Sequence, residues 1–466
     1  MTPFPGPILL LGLPLLASAI TYLVRRWSIL AAFVAALTTA ALAFLCLRLP
    51  LDRSAFVLGQ EIAFGRPVVL VGRTLMLDAA GQSWLGLIFA LATIFYLLAW
   101  RLKQGRMFFS FSLVILGLYA LIALLQTFSL AILVFAMSTT PAVFIIQGEH
   151  PGSVRAGQRY LLVTLLAVPL LLAAAWLTNQ ASLSPDTLST ARLALLPAAL
   201  GFGLLLAIFP FGTWMPALAV DAPPLVTAFA YTAGQAMAVF LAFTFLRTAP
   251  WSLNDRNALN VVQFAGLVMT VSGGLMAGVQ RDLGRVFGYA ALSDLGYFLL
   301  AVGLGGGQGT TLALLHTVNR SMAITLVAAA LAILRQQAAT DAFAHLAGMA
   351  RRLPIATAGL LLGGLALAGF PFTAGFPTHW AIVRAVASNH TGWALLLLAS
   401  SAGIAIGFLR GLSSMIGAGP GDKVARQPII ASLMVLILGA VVVVLGVYPQ
   451  LFLGPIRSAV EALALF

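Results

Sequence analysis

Charge is scarce in this chain, and lysine is scarcer still. Only 8% of its 466 residues are charged, against about a quarter in a soluble domain of ordinary composition. That shortage excludes an ordinary soluble enzyme, and the 61% share of hydrophobic residues excludes a disordered chain. The single cysteine, Cys46, lies in an apolar run. One thiol excludes an intrachain disulfide framework and a cysteine-based metal or iron–sulfur site. Of the 25 bases only Lys103 and Lys423 are lysines, against 12 acids. The net charge of +13 is scattered in ones, twos and threes between apolar stretches. Lipid headgroups and membrane topology explain that pattern better than nucleic acid does. The sequence also has no Walker motif, dinucleotide fingerprint, redox ligand set or Ser/His/Asp arrangement. No cofactor, no metal and no independent catalysis are therefore expected.

What the chain does have is long apolar runs. Runs of about 20 residues cross a bilayer as helices that satisfy their own backbone hydrogen bonds. An all-α polytopic membrane protein follows, with about fourteen spans near 5–24, 28–49, 79–100, 107–126, 128–147, 158–179, 192–211, 223–246, 258–279, 284–303, 309–334, 353–384, 391–412 and 429–449. The first run has no basic region before it and Arg25-Arg26 after it, so it reads as a retained span rather than a signal peptide. Segment 51–78 alternates loosely and carries Gly59 and Gly72 at turn positions, which predicts a short surface hairpin. With the N-terminus outside, the loops on the cytoplasmic side hold 15 of the 25 bases, among them Arg25, Arg26, Arg101 and Lys103. The positive-inside rule then places both termini on the outer side of a bacterial-type inner membrane.

Two spans resemble each other. Gly201–Phe211 ends in Phe209-Pro210-Phe211 and Gly363–Phe372 ends in Phe370-Pro371-Phe372, and a second proline follows each, at Pro216 and Pro377. Proline inside a helix removes a hydrogen bond and clashes with the preceding turn, so both helices should break at Pro210 and Pro371. The copies lie five spans apart, and an odd offset inverts one relative to the other, as in transporters with discontinuous helices. The expected organisation is N-terminal helices over 1–106, a first repeat over 107–250, a second over 251–412, and a C-terminal helix and tail over 413–466.

Phe209-Pro-Phe-Gly-Thr-Trp-Met-Pro216, continued by Val220-Asp-Ala-Pro-Pro-Leu-Val-Thr-Ala228, resembles the signature of the proton-conducting antiporter-like subunits. That family includes the large antiporter-like subunits of respiratory complex I and relatives in Mrp antiporters, membrane-bound hydrogenases and inorganic-carbon transporters. Further matches are Arg281–Tyr297, Leu314-Leu-His316, Leu346–Pro354 and Ala366–Phe376, an ordered series between about residues 100 and 410. The resemblance implies fourteen helices, two inverted five-helix repeats, and breaks in helices seven and twelve. It also implies partners: other membrane and hydrophilic subunits of a larger complex, membrane lipid, and protons or cations if the chain conducts.

The sequence departs from the family where the family carries charge. Proton transfer through a membrane needs titratable side chains along internal water. Aligned on Pro141, the family's helix-five Glu position is Ala136. Its helix-seven Lys position is Leu205, its helix-eight Lys position Gln235 or Ala236, and its usual His after Phe-Pro-Phe is Gly212. On span eleven the second His position is Arg320 and the following Lys position Ile324, while the helix-twelve Lys position is His379. The surviving proton-path candidates are Asp294, His316, Arg320 and His379, with Asp221 at an acidic family position. His316 and Arg320 are four apart and share a helix face, and an Asp294–Arg320 ion pair across adjacent spans is the natural expectation. A structural Asp–Arg lock and a working half-channel both fit these residues. His379 fits either a relay or an interfacial position, and Asp221 either a loop or a helix cap. Three functions stay open: a subunit of an ion-translocating complex with a degenerate or half-only proton path, a non-conducting scaffold, and a free-standing secondary transporter.

Overall fold

The computed structural model describes residues 4–57, 59–102, 104–148, 153–181, 192–248, 256–338, 340–417, 428–452, 454 and 461. Helices dominate. In chain order they are α1 (Gly6–Leu23), α2 (Ser28–Arg48), α3 (Ala79–Ala99), α4 (Phe108–Leu124), α5 (Phe128–Gln147), α6 (Ser153–Ala181), α7 (Leu195–Leu205), α8 (Trp214–Asp221) and α9 (Pro224–Phe229). There follow α10 (Gln235–Thr248), α11 (Arg256–Val279), α12 (Leu283–Gly303), α13 (Gly306–Ala338), α14 (Met349–Arg352), α15 (Pro354–Leu367), α16 (Phe376–Ala387), α17 (Thr391–Ile416) and α18 (Ile429–Val447). A π-helical turn, Ala230–Gly234, joins α9 to α10. Taking Pro224–Thr248 as one, eleven helices among the described residues are long and apolar enough to cross a membrane. The apolar helices α4, α7 and α15 are shorter, at 17, 11 and 14 residues. The chain is a multi-pass membrane protein.

The breaks fall where proline chemistry puts them. A proline ring collides with the carbonyl four residues back. For Pro210 that residue is Leu206, the C-cap of α7, and for Pro371 it is Leu367, the last residue of α15. The stretch expected over 353–384 is accordingly two helices, α15 and α16, and the stretch over 192–211 is helical only to Leu205. Left-handed backbone at Ala207 (φ 56°), Gly369 (φ 72°) and Phe372 (φ 65°) turns the chain within the two breaks. Segment 51–78 is more elaborate than one hairpin. Strand β3 (Gln60–Ala63) pairs antiparallel with β2 (Ala55–Val57) and parallel with β1 (Phe4–Pro5), while β4 (Val68–Leu70) and β5 (Arg73–Leu75) form a separate pair. Val71 and Gly72 both have positive φ, as a two-residue hairpin turn that follows the strand twist requires.

The chain divides into two compact units. The first comprises Met1–Leu206, Ala233–Ser252 and Ser458–Leu465. It is held by aromatic packing: Phe128, Phe202 and Phe245 meet at ring separations of 5.4–6.4 Å, and the Trp84 Nε1–H donates to the Ala236 carbonyl at 2.6 Å. The second comprises Ala207–Thr232, Leu253–Arg457 and Phe466. Its centre is α13, buried over almost its whole length. Beside it α11, α12 and α17 pack closely on one another because small residues line their contacts, the usual device where lipid supplies no hydrophobic drive between helices. Ser293 and Ser400 both donate to the Thr270 carbonyl, at 2.8 and 2.7 Å. Arg335 grips the C-terminal carbonyls of α8, donating to Ala219 at 2.6 Å and Ala222 at 2.8 Å, and pairs with Asp341. A cation suits that end of a helix.

A β-carbon placed on Gly273 would lie 2.7 Å from the Ser293 amide nitrogen. Gly273→Leu should therefore destabilise the fold by about 1–3 kcal/mol, the usual cost of overpacking. A lowered midpoint in thermal unfolding of the detergent-purified protein would register it.

Candidate functional site

Burial of charge is confined to one place. Among the described residues of the first unit no acid, arginine or histidine is buried, whereas the second unit buries Asp294, His316, Arg320 and His379. Asp294 comes from α12, His316 and Arg320 from consecutive turns of α13, and His379 from α16, just past the break at Pro371. The four form a single cluster.

Arg320 occupies one side of the carboxylate. Its Nε donates to Asp294 Oδ2 at 2.9 Å, Nη1 to the Tyr231 carbonyl at 3.0 Å and Nη2 to the Ala291 carbonyl at 3.3 Å. The Tyr231 carbonyl belongs to the π-helical turn, and such turns loosen the regular ladder and cluster at functional sites. The planar guanidinium fork meets all three acceptors at once, which a lysine ammonium on a flexible stem would not. The other carboxylate oxygen, Oδ1, faces two imidazoles: His379 Nε2 at 3.2 Å and His316 Nε2 at 3.6 Å. The rings lie 5.2 Å apart, and Tyr297 packs edge-on against His379 at 4.0 Å. Gly369 has no side chain to intrude where it meets the His379 ring.

The hydrogen bonds of His316 constrain its protons. Nε2 lies 2.8 Å from the Asp294 backbone carbonyl, so that nitrogen donates. Nδ1 lies 3.1 Å from Thr378 Oγ1, which itself lies 3.1 Å from the Gly375 carbonyl. A hydroxyl has one proton. When Thr378 donates to Gly375 it accepts from Nδ1–H, and His316 is an imidazolium. When Thr378 turns its proton to Nδ1, His316 is neutral and the Gly375 carbonyl keeps only the His379 backbone N–H as donor, at 3.0 Å. The hydroxyl orientation thus follows the charge on His316. His379 is freer, since neither ring nitrogen makes an aligned hydrogen bond, and the same holds for both polar atoms of the buried Asn319.

The ligand-type atoms of Asp294, His316 and His379 lie within 4.8 Å of one another. A divalent cation fits their spacing but not their charge. Arg320 already balances Asp294, so a metal would add two uncompensated charges to a buried site, which is costly. The same donors suit a single mobile proton.

Other expected residues lie apart. Asp221 is half-buried and ends α8; it is neither a loop residue nor the cap of α9, whose N-cap is Pro223, and it makes no bond to the cluster. His379 is buried, which removes the interfacial alternative. Pro210 and Pro371 lie in the two breaks. Lys103 and Lys423 lie outside the described residues. Thr378, Tyr297 and Asn319 were not singled out from the sequence. Thr378 adjoins His379, while Tyr297 and Asn319 stand three residues beyond Asp294 and His316 and so on the same helix faces.

Residues 124–406 match the family model described as NADH:quinone oxidoreductase/Mrp antiporter, transmembrane. The chain belongs to this family. A NADH-quinone oxidoreductase subunit N from Cereibacter sphaeroides is 30% identical over 331 residues, 68% of this chain and 71% of the relative. The subunit N of Chromohalobacter salexigens is 30% identical over 276 residues, and the match spans 56% of either chain. Solved structures share the antiporter-family fold. A chain of the Mrp complex from a Dietzia species superposes with a TM-score of 0.82 at 17% identity, covering 98% of this chain and 97% of that one. A chain of respiratory complex I from Thermus thermophilus reaches 0.80 at 22% identity, covering 98% of both.

Asp294→Leu in this antiporter-family chain leaves Arg320 buried without its counter-charge and should cost about 3–5 kcal/mol, as should Arg320→Met. Asp294→Leu combined with Arg320→Met should recover most of that loss. A double-mutant cycle on thermal unfolding in detergent would measure the coupling, and additive losses would contradict it.

Proposed function

We propose that the chain is an antiporter-like membrane subunit of a multi-subunit ion-translocating complex, of NADH-quinone oxidoreductase, hydrogenase or inorganic-carbon uptake type, with proton handling confined to its second half. One observation carries the reading: every buried acid, arginine and histidine among the described residues belongs to the Asp294–His316–Arg320–His379 cluster. Its partners are other membrane subunits and hydrophilic subunits that hold the driving chemistry. Both termini lie on the outer side of the inner membrane. Fourteen crossings fit eleven long apolar helices plus the three shorter ones, and the paired breaks at Pro210 and Pro371 support two inverted repeats over 107–250 and 251–412.

In this mechanism Arg320 keeps Asp294 ionised, and Asp294 Oδ1 is the fixed negative pole between two imidazoles. A proton reaching His379 is attracted by Oδ1 at 3.2 Å, and His316, 3.6 Å from the same oxygen, is the second stop. Thr378 reorients as His316 gains or loses its proton. Histidine is the side chain suited to carrying protons near neutral pH. Asp221 joins the path outside this cluster.

A scaffold role is the second reading, and the Arg320 contacts favour it: one guanidinium ties α12 and the Tyr231 turn to α13. Proton flux through the intact complex in proteoliposomes separates the two. A half-channel predicts that His316→Ala and His379→Gln each bring the flux carried by this subunit to background while the complex still assembles. Unchanged flux in both variants leaves the scaffold. A purified chain that moves solute by itself would instead overturn the subunit assignment.

A further inference from the structure

In the first unit, α2 and α3 border an open apolar groove of about 400 Å³. Its floor is small: Ala32, Ala36 and Ala40 repeat every four residues and so lie on one face of α2. Phe33 and Leu37 of α2 and Leu97 of α3 form walls that are also exposed at the protein surface. Ile29 and Trp100 line one end, where α2 begins and α3 finishes.

Dimensions select the occupant. From Ile29 to Ala40 the helix rises about 16 Å, close to the roughly 15 Å depth of one leaflet of a bilayer core. An extended acyl chain along the Ala32, Ala36 and Ala40 floor needs that length and an apolar lining, and the groove supplies both. A single hydrocarbon chain fits.

Charge at the mouth selects the headgroup. The Arg101 guanidinium carbon lies 4.4 Å above the ring of Trp100, which itself lines the groove. Arg25 lies 4.2 Å over the Tyr22 ring, and the neighbouring Arg26 is exposed two residues before α2. The turns 24–27 and 100–107 contain no acid. The stacked Arg101 and the exposed Arg26 suit a phosphate, and basic residues beside a membrane helix attract anionic lipid. We propose that this groove is a binding site for an anionic phospholipid, one acyl chain lying along Ala32, Ala36 and Ala40 and the phosphate held by Arg26 and Arg101.

Native mass spectrometry of the full-length chain, delipidated in detergent and supplied with phosphatidylglycerol or phosphatidylcholine of matched acyl chains, tests this. The wild type should retain one phosphatidylglycerol and prefer it several-fold. Ala40→Phe, on the exposed part of the floor, should lower retention of both lipids. Arg26→Gln with Arg101→Gln, on surface positions that leave the core intact, should abolish the headgroup preference while the protein still binds a chain. Equal retention by wild type and Ala40→Phe, or an unaltered preference in the arginine variant, overturns the proposal. A photoreactive residue at Phe33 that captures a polypeptide instead of phospholipid in native membranes overturns it too.

Discussion

A carboxylate and a guanidinium buried together, Asp294 and Arg320, set the terms for the rest of the second unit. Either charge alone inside a membrane protein is costly. Together they need good geometry and satisfied remaining donors. That requirement explains why a π-helical turn presents the Tyr231 carbonyl, why the Ala291 carbonyl faces Arg320, and why α13 is buried over almost its whole length. It also explains the break in α15. An interrupted helix brings Thr378 and His379 up to the free side of the carboxylate, with Gly369 leaving space for the imidazole.

The first unit shows the reverse condition. At the positions where the family resemblance implies ionisable groups this chain has Ala136, Leu205 and Gln235 or Ala236, and two hydroxyls of α5 turn to their own helix. Ser138 donates to the Phe135 carbonyl and Thr139 to that of Ala136, both at 2.6 Å. Hydroxyls engaged in this way hold a helix together without titrating. The same antiporter-family architecture thus buries charged residue types at one centre in the second unit and at none among the described residues of the first.

The membrane architecture was legible because it depends on quantities that a sequence displays directly. Apolar runs mark spans, and Pro210 and Pro371 mark breaks through a clash whose position is fixed by counting back four residues. The Asp294–Arg320 contact was also within reach, since two opposite charges on neighbouring apolar helices have few alternatives to each other. What escaped depends on backbone atoms and on folded segments. Nothing in the residues Ala230–Gly234 announces a π-helical turn, and a carbonyl acceptor such as that of Tyr231 has no letter of its own. Thr378 was hidden for a related reason: a threonine in a membrane helix usually bonds its own preceding turn, as Thr378 does with Gly375, and only the packing of α16 on α13 adds His316 to its partners. The strands of segment 51–78 escaped because β1 pairs with β3 from more than fifty residues away.

The balance of charge around Asp294 also sets an occupancy limit. With both imidazoles neutral, carboxylate and guanidinium sum to zero, and a single added proton makes the site positive. A second arriving while the first remained would meet both that repulsion and the fixed charge of Arg320, which never leaves. A cluster that carries protons as proposed would therefore take them one at a time, as a turnstile rather than a reservoir.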